Sequence, residues 1–148
     1  MNRSSITILR VTVGLTFVAH GIQKLFLFGI EGVAGAMGQM GLPFPFASAV
    51  LATGAEFFGG LLLLVGLGTR FAAVPVAFTM LVAMLQVHLK GGYFLPSGIE
   101  YTLVLFAANI ILIMTGSGAL ALDNVITRRK HDSDPSSQRA GSREPRVA

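Results

Sequence analysis

Residues 6–28, ITILRVTVGLTFVAHGIQKLFLF, decide how this chain folds. At about 1.5 Å per helical residue, a run of this length crosses about 30 Å of hydrocarbon. No water reaches the backbone there, so N–H and C=O groups must pair within the segment, which selects a helix. The run predicts a transmembrane helix whose polar interruptions, Arg10, His20, Gln23 and Lys24, need a partner or a task. Arg10 breaks the apolar stretch and no small-x-small site follows it, which argues against a cleaved leader.

Three further apolar runs follow, at about residues 47–67, 71–89 and 99–116. Together they predict an all-α membrane protein, a four-transmembrane-helix bundle occupying residues 1–123. Strands of alternating polarity are absent, so a barrel is not expected. Composition agrees: the chain has 148 residues, 53% hydrophobic and 12% charged, against about 25% charged in soluble domains. Residues 29–46, GIEGVAGAMGQMGLPFPF, read as an ordered loop with a short interfacial helix, because they are too apolar for a solvated linker. GLGTR at 66–70 reads as a tight turn, and KGGYFLPSG at 90–98 as a Gly/Pro loop with Tyr93 and Phe94 at headgroup depth.

The net charge of +4 is concentrated at one end. Residues 124–148 hold Arg128, Arg129, Lys130, Arg139, Arg143 and Arg146 against Asp132, Asp134 and Glu144. A basic tail beside a membrane span is a topology signal or an anionic-lipid contact before it is a nucleic-acid arm. From about Thr127 the tail lacks apolar periodicity and is expected to be disordered. Arg3, Arg70 and the tail share one side of a four-span topology, so the positive-inside rule predicts both termini in the cytoplasm. No cysteine is present, which excludes disulfide and thiol chemistry on this chain.

The polar groups inside the apolar body form a pattern. Arg10, Phe17 and Lys24 are seven residues apart and His20 lies four before Lys24, so all fall along one helix stripe. Gly14 and Gly21 beside it would let another helix approach closely. Glu56 stands inside the second run, in TGAEFFGG (53–60). Antiparallel helices place it at the depth of His20, so His20 and Lys24 are its expected partners. Gln86, His88, Lys90, Glu100 and Tyr101 gather at the same outer end, while Gln86 and His88 point to different sides of their helix. Asn109, in mid-span, reads as an interhelical hydrogen-bond partner. Plainer readings compete. Lys24 and Lys90 can snorkel to the interface, Arg10 can serve as a positive-inside anchor, and His88 and Glu100 can be ordinary interfacial residues. His20 and His88 with one Glu fall short of a usual metal-ligand set, and no metal is expected.

With these segments in hand, RVTVGLTFVAHGIQKLF, MGLPFP, GAEFFGGLLLLVGLGTRFAA, VHLKGGYFLPSGIEYTLVLFAA and GSGALALD resemble the DoxX/DoxD-like family of bacterial inner-membrane proteins. The resemblance covers about residues 8–123 and implies a four-helix membrane bundle in the cytoplasmic (inner) membrane. It also implies association with quinone-linked oxidoreductases or with thiol, oxidative-stress and quinone-resistance systems. It singles out Arg10, His20, Gly21, Lys24, Glu56, His88, Glu100 and Asp123. Where the family commonly has serine-leucine-aspartate after the last helix, this chain has Ala121, Leu122 and Asp123.

These readings lead to a membrane subunit of a redox system that binds a quinone or similar small molecule in the outer half of the bundle. His20 is the candidate acid/base, Lys24 the electrostatic stabiliser and Glu56 the orienting partner or relay. Arg10, Gln86, His88, Glu100 and Tyr101 are the candidate substrate-binding residues. A redox partner protein supplies electrons, the lipid bilayer is the solvent, and self-association into a homo-oligomer is compatible with the sequence. The competing expectations are a non-enzymatic scaffold that docks a soluble enzyme and a small-metabolite transporter.

Overall fold

In the computed structural model, which describes residues 2–132, the first apolar run lies inside one continuous helical stretch, Arg3–Gln39. It divides into α1 (Arg3–Ile22), a π-helical turn (Gln23–Phe28) and α2 (Gly29–Gln39). The other elements are α3 (Pro45–Val65), α4 (Thr69–Ala83), α5 (Glu100–Thr115) and α6 (Leu122–Asp132). A second π-helical turn (Met84–His88) and a short 3₁₀ turn (Leu89–Gly91) prolong α4. No strand occurs among the described residues. Three helical stretches, Arg3–Gln39, Pro45–Val65 and Thr69–Gly91, are long and apolar enough to cross a membrane, and α5 is a shorter apolar helix.

Residues 29–39 are helical where a loop had been expected to dominate. Glycines at 29, 32, 35 and 38 hide the signal, but α2 earns its place by packing: Val33 and Ala34 bury against Ala49 of α3, flanked by Ile30 and Met37. Only residues 40–44 then remain to reverse the chain.

α1 packs most extensively on α3, and α4 on α5, while α3 also contacts α2 and α4. Lipid is as apolar as leucine, so close van der Waals fit, rather than escape from water, holds such helices together. The α1–α3 seam shows how. A Cβ at Gly21 would stand 2.7 Å from Phe57 Cβ, and one at Gly14 or Gly60 would press on the facing backbone at 2.9 and 2.8 Å. Phe17, Leu63, Val76 and Leu112 fill the interior between the helices.

The end of the bundle that carries Arg3, Arg10 and Arg70, hereafter the basic end, is closed by polar bonds. α3 stops at Gly66, whose φ of +71° suits glycine, and the N–H groups of Gly66 and Leu67 both reach Leu62 O. The chain then turns into α4, and the Gly68 N–H donates to Asp123 Oδ1 at 2.9 Å. The Asp123 N–H in turn donates to Gly66 O. These bonds pin the start of α6 to the α3–α4 turn. The chain is therefore helical through Asp132, past the point where the tail was expected to lose structure; residues 133–148 lie outside the described part.

Candidate functional site

Arg10 was expected to help bind a substrate, and the structure puts it elsewhere. Its side chain is 1% exposed at the basic end. Nη1 donates to Leu63 O at 3.0 Å and to Leu64 O at 3.4 Å, and Nη2 donates to Leu120 O. Those carbonyls belong to the last turn of α3, where the helix has run out of i+4 N–H donors and Leu63 O accepts only the cap N–H of Gly66 from the backbone, and to the segment after α5. A guanidinium, with five donors in a fixed fork and a charge suited to a helix C-terminus, can satisfy several at once. Arg10 is a clasp at the basic end, one helical run away from the polar groups described next.

At the opposite end of α1, the Lys24 ammonium meets the Glu56 carboxylate. Nζ lies 2.6 Å from both oxygens, but only Oε1 stands in hydrogen-bonding geometry. Glu56 is 3% exposed, and its Oε2 has no hydrogen-bond donor. A buried charge of this kind persists only with a counter-charge, which Lys24 provides.

His20 does not join them, contrary to the expectation of a three-member cluster. Its Nε2 lies 3.2 Å from the Tyr101 hydroxyl of α5, with the rings tilted at 58°. Four residues apart along a helix, His20 and Lys24 lie on neighbouring positions of one face, yet they serve different neighbours: His20, in the last turn of α1, reaches α5, and Lys24, in the π-helical turn that follows, reaches α3.

The remaining candidates also disperse. Glu100 Oε1 accepts the Leu95 N–H at 2.9 Å and so braces the 92–99 loop. Gln86 is exposed. His88 Nδ1 lies 3.1 Å from Ser97 O. A carbonyl oxygen only accepts, so Nδ1 carries the proton and, in the neutral ring, Nε2 is left as an acceptor. Asn109 is fully buried, but its Nδ2 donates to Leu105 O of its own helix rather than across to another.

Three of these groups nevertheless share a space. A cavity of about 1240 Å³ opens between the π-helical turn, α2, α3 and α4, and Lys24, Glu56 and His88 all line it. This exceeds the ~300–1,000 Å³ common for ligand sites. Its other polar side chains are Ser48 and Thr79, whose hydroxyls already donate to Pro43 O and Val76 O. The rest is apolar, including Val33 and Met37 of α2 and Val82 of α4. His20, Tyr101, Gln86 and Glu100 do not line it. The contribution of α2 escaped the sequence reading; its small side chains at every third position were the available signal. Among the described residues, no group of three metal-ligating side chains converges.

The arrangement offers one ion pair at the wall of an otherwise apolar chamber. Lys24 keeps N–H groups beyond the one given to Glu56, and the Glu56 carboxylate, with two oxygens facing one ammonium, keeps lone pairs for a further donor. A head group that both accepts and donates hydrogen bonds would suit it.

Comparison with known proteins adds an independent finding. The sequence profile of the family described as DoxX matches residues 5–89. A Bacillus subtilis protein named "Putative oxidoreductase CatD" is similar at 36% identity, over 87% of this chain and 92% of that protein. "Inner membrane protein YphA" of Escherichia coli is 29% identical over 78% of this chain and 86% of its own length. An "Uncharacterized membrane protein" of Mycobacterium tuberculosis is 31% identical over 84% and 83% of the two chains. No solved structure matches.

Proposed function

The chain belongs to the DoxX family, and from that premise we propose that it is a membrane subunit of a redox system that takes a quinone, or a similar lipophilic carbonyl compound, into the cavity beside Lys24 and Glu56. Relatives named as membrane and inner-membrane proteins, together with its own apolar helices, make it a membrane protein. The oxidoreductase name of the Bacillus relative supports a redox association. The observation that carries the ligand reading is the buried Lys24–Glu56 ion pair, the charged feature on the wall of a roomy and otherwise largely apolar chamber.

A quinone supplies reversible uptake of two electrons and two protons when it is bound. Toward the oxidised form, the free N–H groups of Lys24 donate to a carbonyl oxygen. Toward the reduced form, Glu56 Oε2 accepts from a hydroxyl. The pair thus offers complementary bonds to both states without moving far. His88, with Nε2 free to accept, is the further titratable group on the cavity wall for handing protons on. Electrons come from a partner protein of the redox system. The concentration of Lys and Arg at the basic end supports a cytoplasmic side for that end and for both termini.

The test is purification of the full chain in mild detergent, followed by identification of co-purifying lipid-soluble molecules and proteins, beside Glu56→Ala. A quinone held by the wild type and lost from Glu56→Ala supports the reading. A protein partner retained equally by both, with no quinone in either, replaces it with a scaffold role.

A further inference from the structure

The chamber beside Lys24 and Glu56 does not end at Gly54. A second, smaller groove of about 450 Å³ runs between α3 and α4 toward the basic end, and both spaces are bounded by Gly54, Ala55 and Pro75. Past that throat the groove is lined by Phe58, Leu62, Leu67 and Phe71, with no charged side chain. From Gly54 to Leu62 it covers about 12 Å along α3.

The throat is made by two residues that a helix interior normally avoids. Glycine costs about 1 kcal/mol and proline about 3 kcal/mol there relative to alanine. Helix packing gives Gly54 no reason to be small. A Cβ added at Gly54 would find nothing within 4 Å, whereas one at Gly59, on the next turn, would meet Val76 Cγ2 at 2.5 Å. Gly59 is small because α4 presses on it. Gly54 is small beside open space, and that space joins the polar chamber to the apolar groove.

We infer that the ligand held at Lys24 and Glu56 carries a hydrocarbon tail, and that the tail passes over Gly54 and lies in the α3–α4 groove, pointing toward the basic end. The inference rests on the ligand reading above. A polar head anchored in mid-bundle with its tail running along the protein is a different arrangement from a bulk lipid, whose head stays at the interface. Apolar walls bind such a tail through many weak contacts, and a side chain at position 54 would remove the continuity on which they depend.

The full chain, reconstituted in phosphatidylcholine nanodiscs, can be tested with two probes. One is a dimethoxy-methyl-benzoquinone without a tail; the other is the same ring with a decyl tail ending in a diazirine. Gly54→Leu has room for its side chain, and its helical circular dichroism checks the fold. Gly54→Leu should weaken the tailed probe about fivefold or more and change the tailless one less than about twofold. Photolabelling of the wild type should fall on Leu62, Leu67 and Phe71. Equal effects on the two probes, or label spread onto Ile8, Leu15 and Val104 on the lipid faces of α1 and α5, would overturn the tail path while leaving the head site standing. Failure of both probes to bind the wild type would remove the head site and the tail path together.

Discussion

Substituting the two members of the buried ion pair, singly and together, should give unequal costs. Breaking one partner of a buried pair costs about 3–5 kcal/mol, because an uncompensated charge is left behind. Here the partners are not equally trapped: the side chain of Glu56 is 4% exposed and that of Lys24 23%. Lys24→Met strands a carboxylate that cannot reach water, and allowing for the partial exposure of the lysine the loss should be about 2–3 kcal/mol. Glu56→Leu strands an ammonium on a flexible stem that can swing to the interface, so about 1 kcal/mol should be lost. The double variant replaces both charges by apolar groups and should melt close to the wild type. At about 2–4 °C per kcal/mol for a chain of this size, Lys24→Met should lower the melting temperature by about 8 °C. Thermal melts in dodecylmaltoside, followed by helical circular dichroism, read all three. If Lys24→Met melts with the wild type, or the double variant melts no higher than Lys24→Met, the pair is not a buried, mutually dependent unit.

Two further substitutions probe the two ends of the bundle. Gly66→Ala places a Cβ in the space of Arg10 Nη1 and imposes an L-residue on a φ of +71°; a loss of about 2–4 kcal/mol is expected from strain and broken carbonyl bonds, read as a lower melting temperature. Tyr101→Phe removes only a hydroxyl near His20, so the melt should shift by less than about 1 kcal/mol and quinone retention should be unchanged; loss of the ligand would mean that His20 and Tyr101 belong to the site after all.

The spans were readable because lipid imposes a length: the second, third and fourth apolar runs match helices to within a few residues, and the first lies inside a helical stretch that continues to Gln39. α2 was harder, since its glycines mimic a loop and only its contact with Ala49 reveals why it stays helical. α6 begins where apolar periodicity fades, and its start depends on bonds from Asp123 to the α3–α4 turn that no local pattern encodes. The polar residues were found by their cost in lipid, but cost does not name a partner. Arg10 looked like part of a site because it is a charge in a span, yet its guanidinium serves backbone carbonyls distant in sequence. The pairing of Lys24 with Glu56 followed from depth and charge. The loss of His20 from that pair goes with its contact to the Tyr101 hydroxyl of α5, a neighbour that spacing along one helix does not name.

The chamber is lined by Leu51 and Phe78, both also exposed on the outer surface of α3 and α4, where hydrocarbon lies against an apolar helix, so a way in from the bilayer passes between them. A molecule that enters there comes from within the bilayer and need not pass through buffer. Occupancy should therefore follow the number of ligand molecules per lipid: adding empty vesicles ought to deplete the site, whereas enlarging the aqueous volume around the same membranes ought to leave it filled.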